Sequence, residues 1–403
     1  MRVAIVVNSF PVVSETFIVN KVLGLRSAGV DVTVVAHMPS RDLALFSQQM
    51  SNFLPTTMQY GLLDKKKWQI PSRLIDLVAR HPTQLRDLWQ KTTSLYGVTK
   101  RSIRAFLMAA PLVVGGYAII HFEYSGLAVA YLDVLPLLKQ AKLVTSCRGA
   151  AEQITPLVDP HRGARLRQLF KLIDRVHCVS EDMFRTVQAY GVSSEQAFVN
   201  HPAIDVDCFQ RTIPYALKSQ GPYTLLSVGR LHWKKGFEYS LMAIRYLLDW
   251  GYDVCYHIIG RGIRDESLRY AIHDLGLHQH VHLHGSQNSL YVRQKLEEAD
   301  LYLLPSISEG LSNAALEAMA MELPIVSTTA GGMEEAITDG SDGFLVSSRQ
   351  PKEMAEKVAL LLQTPDLRLK VGKVARDKIE AHFTLKRQIQ CFVSEYQQLL
   401  KRG

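Results

Sequence analysis

Metal and disulfide chemistry have little to work with in this chain. Its five cysteines, Cys147, Cys178, Cys208, Cys255 and Cys391, are scattered and odd in number, and no Cys-x-x-Cys pair occurs. That excludes a cysteine zinc site and a disulfide framework and points to a reducing, cytoplasmic setting. Long apolar runs are missing too. A membrane-spanning helix needs about 20 consecutive apolar residues. The nearest approach, Ala105 to Ile120, is interrupted by Pro111 and by Gly115-Gly116. The opening MRVAIVVNSF has one basic residue and a short apolar run closed by Pro11, so it reads as a strand and not as a secretory signal. Neither G-x-S-x-G nor H-E-x-x-H is present, which removes the hydrolase elbow and the zinc-protease helix. No recognised nucleic-acid motif occurs, and no nucleic-acid partner is expected.

What is present describes an ordinary globular chain of more than one domain. It has 403 residues, 47% hydrophobic and 21% charged, enough for two cores of usual size. The net charge of +8 is uneven. Between Lys65 and Arg104 there are ten Lys or Arg against Asp76 and Asp87 alone. Leu74, Leu77, Val78, Leu85, Leu88 and Trp89 recur there at helical spacing. Such a segment either packs its apolar stripe on a core or lies on an anionic membrane surface.

Short β-rich runs alternate with helical patterns along most of the chain, the signature of parallel sheets in α/β domains. Strands are predicted at Arg2–Asn8, Asp31–Ala36, Tyr117–Phe122, Lys142–Cys147, Arg175–Ser180 and Gln196–Asn200. A second series covers Tyr223–Val228, Val254–Ile259, His280–His284, Leu301–Leu304, Pro324–Thr328 and Gly343–Val346. Helical patterns fall between, among them Glu15–Ala28, Phe237–Trp250 and Asn313–Met321. Past Pro351 only helical patterns remain. Thr212–Pro222, with Pro214, Gly221 and Pro222, is punctuated like a linker. The expected layout is a first α/β domain over residues 1–211, a second over 212–384, and a helix over 385–403 returning to the first. Two doubly wound sheets in tandem would face each other across a cleft, and such sheets bind ligands beyond the carboxyl ends of their strands.

Two blocks carry chemistry. In Leu226-Ser-Val-Gly-Arg-Leu-His-Trp-Lys-Lys-Gly236 a strand ends at Gly229-Arg230, and Lys235-Gly236 opens a helix. Backbone N–H groups at a helix start and two cations suit a phosphate; Arg230 can grip it bidentately and Lys235 adds a point charge. In Pro305-Ser-Ile-Ser-Glu-Gly-Leu-Ser-Asn-Ala-Ala-Leu-Glu317 a strand runs into a Ser/Gly loop and then a helix. Glu309 falls in the loop and Glu317 on the helix, about two turns in. Gly310, Leu311 and Ser312 lie between them at the positive helix end. Basic loop residues and two glutamates at this separation also occur without any site.

Together the blocks resemble the family 4 retaining glycosyltransferases of GT-B fold, in which G-R-L-x-x-x-K-G precedes a pair of glutamates spaced as Glu309 and Glu317 are. Ile258-Ile-Gly-Arg-Gly262, Val281-His-Leu-His-Gly285 and Ala330-Gly-Gly through Gly343-Phe-Leu-Val346 resemble further family segments in the same order. Asn8-Ser-Phe-Pro-Val-Val-Ser-Glu-Thr-Phe-Ile18 resembles the F-P-x-x-S-E-T-F-I opening of bacterial exopolysaccharide and lipopolysaccharide transferases, the colanic-acid type included.

The resemblance implies a donor site for a nucleotide-diphosphate sugar in the second domain. Gly229, Arg230, Lys235 and the N–H groups of Gly310, Leu311 and Ser312 would hold the diphosphate, Glu317 the ribose and Glu309 the transferred sugar. Arg230, Lys235 and Glu309 are thereby the expected catalytic residues. It implies retention of anomeric configuration, no metal and no cofactor. The acceptor, a saccharide or a lipid-linked saccharide, or the sugar of the donor would meet the first domain near Ser14, Glu15, His121 and Arg148, with the protein cytoplasmic or resting on the inner membrane face. The sequence departs from the family at two of these places. Arg148-Gly149 stands where many members carry His-Gly, and Glu123 stands at the second histidine of an H-x-H strand end. On the same architecture a nucleotide-sugar epimerase, a phosphorylase or a non-catalytic two-domain ligand-binding protein stay open as alternatives. Asp205-Val-Asp207 spells a metal signature of a different transferase fold but sits in a linker-like stretch. His278, His280, His282 and His284 alternate as a strand would.

Overall fold

The computed structural model describes residues 1–12, 15–40, 58–60, 70–215, 218 and 220–402, with backbone alone at 39, 58–60 and 70–73. Ser14 and the lysines at 65, 66 and 67 lie outside the described residues. The chain forms two compact units. The first is Met1–Val179 with Met183–Asn200 and Ile389–Gly403; the second is Ser180–Asp182 with His201–Gln388.

The first unit is built on a seven-stranded sheet in the order β3-β2-β1-β4-β5-β6-β7. Its strands are β1 Arg2–Phe10, β2 Asp31–Pro39, β3 Met58–Tyr60, β4 Ile119–Phe122, β5 Lys142–Cys147, β6 Arg175–Cys178 and β7 Ala197–Val199. Every neighbouring pair is parallel. A central parallel strand is covered on both faces and therefore reads as an unbroken apolar run. In β1, Val3, Ile5 and Val7 pack into one core with Phe392 and Tyr396 of the helix Leu385–Lys401. Ala4 and Val6 pack into another with Leu112, Ile120 and Phe122. Each large apolar side chain among these contributes about 1.5–3 kcal/mol by leaving water.

The second unit repeats the plan with six parallel strands in the order β10-β9-β8-β11-β12-β13. These are β8 Tyr223–Val228, β9 Val254–Ile259, β10 Val281–Leu283, β11 Leu301–Leu304, β12 Ile325–Thr328 and β13 Phe344–Val346. Helices Pro351–Gln363 and Pro365–His382 follow, each opening with proline, whose missing N–H costs nothing in the first turn.

In both sheets the strand order reverses beside the first strand, between β1 and β4 and between β8 and β11. These switch points open a crevice at the carboxyl ends of the strands.

Three features differ from expectation. β3 lies outside the expected strands, because Met58–Tyr60 is three residues long and not an apolar run. Thr212–Pro222 is no free linker: Glu297 accepts from the N–H groups of Thr212 and Ile213, and Tyr215 and Lys218 bond to Asp300. The chain changes unit earlier, between Asn200 and His201. In the basic window the stripe takes the first of its two expected arrangements and packs on the core, apart from the exposed Val78. Leu85 and Leu88 are buried in the first unit's core, and Leu74 and Leu77 pack against it. Among the described residues no helix is long and apolar enough to cross a membrane.

Candidate functional site

At the switch point of the second sheet, β8 and β11 are neighbours, with Leu225 beside Leu301 and Leu226 beside Tyr302. Both sequence blocks leave from the same end of these strands, so the register that pairs the strands also brings the blocks together. Beyond β8 the loop stays bonded to the next one: Gly229 N–H donates to the Ile259 carbonyl (2.9 Å) and Leu231 N–H to the Arg261 carbonyl (3.2 Å). A single 3-10 turn, Trp233–Lys235, then leads to Gly236. Gly236 has φ of +64°, and a side chain there would stand 2.2 Å from the Pro305 carbonyl oxygen. Only glycine allows the two loops this approach.

The loops are laced by the Lys234 carbonyl, which accepts from the N–H groups of Ile307 (2.7 Å) and Ser308 (3.2 Å). Lys235 Nζ lies 2.5 Å from Glu309 Oε1, and Ser306 Oγ donates to the same oxygen at 2.7 Å. Burial works against ionisation of Glu309, but the Lys235 charge and these hydrogen bonds outweigh it and hold the carboxyl below its ordinary range. Burial also lowers the Lys234 ammonium, against the pull of Glu309 and with the push of Lys235 and Arg230. Lys234 is thus a third cation here, absent from the expected set. Its signal was the Lys-Lys doublet, of which only the second member fell on a motif position.

Ser312 caps the helix Asn313–Ala320, its Oγ accepting from Ala315 N–H. Glu317 is the fifth residue of that helix, little more than one turn in and not two. Among the described residues, several polar groups here have no hydrogen-bond partner: the N–H groups of Gly310, Leu311 and Ser312, the exposed guanidinium of Arg230 and the half-buried carboxylate of Glu317. Burial pushes the Glu317 carboxyl up to about 8. The arrangement offers directed donors and a cation for an anion, and one carboxylate that lacks donors.

A model described as Glycosyl transferases group 1 matches residues 210–378, and one described as Glycosyltransferase Family 4 matches residues 14–208. The chain belongs to the family 4 glycosyltransferases. It is 28% identical over 404 residues to a putative colanic acid biosynthesis glycosyltransferase of Escherichia coli, covering 95% of this chain and 96% of that one. An amylovoran biosynthesis glycosyltransferase of Erwinia amylovora is 28% identical over 402 residues, again covering 95% and 96%. Among solved structures, Anabaena HepE in complex with UDP superposes with a TM-score of 0.74 at 15% identity, covering 99% of this chain and 100% of that one. A sucrose-phosphate synthase from Thermosynechococcus elongatus gives 0.73 at 15% identity, covering 100% of both. At that identity the likeness establishes the fold, which is GT-B.

The glycosyltransferase's first unit has its own polar cluster, also at a switch point. Glu123 follows β4 and is fully buried. One carboxylate oxygen takes the ammonium of Lys21, from the helix Thr16–Ser27, and the other takes Arg148 Nη2 at 2.8 Å. The two departures from the family pattern are therefore one ion pair. Burial opposes the charge on Glu123, yet Lys21 and Arg148 drive its carboxyl far below the carboxylate range. Burial brings Lys21 down to about 8 despite that carboxylate. Lys21 lies outside the expected site residues, although it left a signal, a charge on the inward stripe of Ile18, Val22 and Leu25.

His121 is fully buried, so it supports this cluster from behind and presents nothing to solvent. The Asn200 carbonyl needs a donor from His177 Nε2 (2.8 Å), which leaves His177 Nδ1 to accept from Ser146 Oγ (2.8 Å). Ser146 Oγ then accepts from His121 Nε2 (2.8 Å), and His121 Nδ1 accepts from Tyr396 Oη (2.6 Å). Desolvation keeps both rings neutral, far below the usual histidine range. Glu15 lies beside Tyr124; burial and this carboxylate push the phenol far upward.

The remaining candidates have local roles. Asp205 Oδ1 accepts from Cys208 N–H (3.0 Å), closing a turn. Of the alternating histidines, only His282 lies within β10; His284 bonds to His257 (2.7 Å) and to Tyr291 (2.9 Å).

Proposed function

We propose that this glycosyltransferase moves a sugar, with retention of anomeric configuration, from a nucleotide-diphosphate sugar to a saccharide or lipid-linked acceptor during synthesis of cell-surface polysaccharide. The observation that carries the reading is the set of unspent groups at the β8/β11 switch point. Arg230 and the N–H groups of Gly310, Leu311 and Ser312 match a diphosphate, and Glu317 matches the vicinal hydroxyls of a ribose. Support comes from the relatives, whose names place them in colanic acid and amylovoran synthesis, and from Anabaena HepE, which was solved with UDP and with UDP-glucose.

In this reading the anomeric C–O bond breaks with its electron pair passing to the diphosphate. Arg230, Lys234, Lys235 and the helix N–H groups meet that charge where it develops, and preorganised donors of this kind commonly contribute more to catalysis than any other single effect. The acceptor hydroxyl attacks from the face the leaving group occupied, and its proton passes to a phosphate oxygen. Glu309, already ionised and held by Lys235, orients hydroxyls of the transferred sugar. With the protein's own cations at the diphosphate, the reading includes independence from divalent metal. An anionic membrane surface is not part of it, because much of the apolar stripe that would carry one packs inward.

The test is a thermal unfolding series of the full chain in EDTA with UDP, GDP, ADP, TDP and CDP. A nucleotide at 100 times its dissociation constant stabilises by about 2.7 kcal/mol. A clear upward shift with at least one is expected. No shift with any of them, or a shift only after Mg²⁺ or Mn²⁺ is restored, overturns the donor site or its metal independence respectively.

A further inference from the structure

Arg148 is the one member of the first unit's switch-point cluster that reaches solvent. It leaves the end of β5 beside Glu123, and 17% of its side chain is exposed, against none of Glu123 and 1% of Lys21. Three contacts fix its plane. Nε donates to the Glu123 carbonyl (3.2 Å), Nη2 donates to the Glu123 carboxylate (2.8 Å), and the guanidinium lies 4.3 Å from the centre of the Phe17 ring. Glu123 cannot swing away with it, because Lys21 holds the other carboxylate oxygen. Nη1 has no hydrogen bond among the described residues, and Nη2 has a second N–H to give. The side chain therefore presents two N–H groups side by side, on a fixed plane, outside the carboxyl ends of the strands.

We propose that Arg148 is a specificity-determining residue of this glycosyltransferase: its Nη1/Nη2 edge holds an oxyanion, carboxylate or phosphate, carried by the saccharide acceptor. The inference rests on the proposed transferase reading and on the acceptor side that the family resemblance implies for the first unit. A guanidinium edge matches the two oxygens of a carboxylate or phosphate in parallel and stays charged at every working pH. Lys21 is spent on Glu123, so selection comes from the direction of the two N–H groups of Arg148. Phe17 and Glu123 act as positioning residues, fixing the face and the far edge of the group.

Isothermal titration of the full chain, saturated with UDP to occupy the second unit, tests this with methyl glucuronide, methyl glucoside and inorganic phosphate. The wild type is expected to bind an anionic probe at least about tenfold tighter than methyl glucoside. A preference for the glucuronide assigns a uronic acid, and a preference for phosphate assigns a phosphorylated acceptor. Arg148→Gln should abolish the preference, and Arg148→Lys, which keeps the charge and loses the paired edge, should restore only part of it. Equal binding of all three probes by the wild type overturns the proposal. So does an undiminished preference in Arg148→Gln, or in Arg148→Lys if the glutamine variant fails to fold. The UDP affinity of the wild type reports on the donor reading separately: its absence sinks that reading, while an Arg148-dependent preference would leave this one standing.

Discussion

Glu123 and Glu309 hold corresponding places in the two units. Each follows the strand that adjoins the first strand at the switch point, and each is held by a lysine from the segment after that first strand. Their surroundings then diverge. Around Glu123 both carboxylate oxygens have cationic partners, and the glutamate and Lys21 are 0% and 1% exposed. Around Glu309 the pair is 7% and 14% exposed, and Arg230, Glu317 and the N–H groups of Gly310, Leu311 and Ser312 have no hydrogen-bond partner among the described residues. A buried polar group left unpaired costs free energy unless a ligand or water completes it. The same topology therefore ends in one unit in a carboxylate closed on both oxygens, with the outer edge of Arg148 left over, and in the other in a wider set of unspent groups, the candidate donor site. Unspent hydrogen-bonding capacity, more than buried charge, separates the two.

The largest expected effect breaks the closed side. Glu123→Ala leaves Lys21 and Arg148 without their shared carboxylate, and removing one partner of a buried ion pair typically costs about 3–5 kcal/mol. Denaturant unfolding should show a loss of that size, with UDP affinity intact wherever the variant is still folded. A change below about 1 kcal/mol would make the cluster dispensable and remove the contrast between the units.

On the open side, Arg230→Ala should lower turnover by at least about 100-fold, or about 2.7 kcal/mol of transition-state stabilisation. Its unfolding midpoint should hardly move, because the exposed guanidinium has no partner to abandon. Lys235→Ala should lower turnover as much and also destabilise the fold, since it strips Glu309 of its cation. Wild-type turnover in both variants would end the phosphate role.

Glu317→Gln sharpens the comparison most finely. Burial raises the Glu317 carboxyl from 4.5 to about 8, so between those values the folded chain keeps a proton that the unfolded chain has lost. The stabilisation is complete below 4.5 and falls away as pH rises through 8. The glutamine variant should lack that decline and unfold at higher temperature than wild type near pH 8, while above pH 8, where the wild-type carboxylate is ionised, it should bind UDP roughly tenfold more weakly through one lost charge-assisted contact. Equal UDP affinity would leave Glu317 a buried carboxylate without a ligand.

The twelve expected strands all occur, most with ends shifted by a few residues. They were legible because strands covered on both faces must be apolar throughout, a local property of sequence. The two blocks of the proposed donor site, Gly229 to Gly236 and Glu309 to Glu317, stand out in sequence for a related reason: glycine and charged residues at short fixed spacing are what a loop needs to approach a phosphate. Lys21 with Glu123 and Arg148 was not legible. Its members lie on three separate elements, and each alone reads as an anomaly, a charge on an apolar stripe and two unmatched motif positions. Thr212–Pro222 looks like a linker in sequence because proline and glycine report irregular backbone, whereas Glu297 and Asp300, which tie that segment down, lie more than 80 residues away.

By itself the sequence determined the class of fold and the family and marked the two blocks of the proposed donor site, since each depends on residue type at short range: apolar strand runs, glycine where a backbone must come close, cation and carboxylate at set spacing. The tertiary structure decided which polar groups are satisfied. The register of β8 against β11 brings Lys235 to Glu309 and leaves Arg230 and Glu317 open. The return of the last helix sets Tyr396 on His121, 275 residues away, and helps close the first unit's cluster. Hydrogen bonding is short-ranged and directional, so whether a group is spent depends on what the fold places within about 3 Å of it.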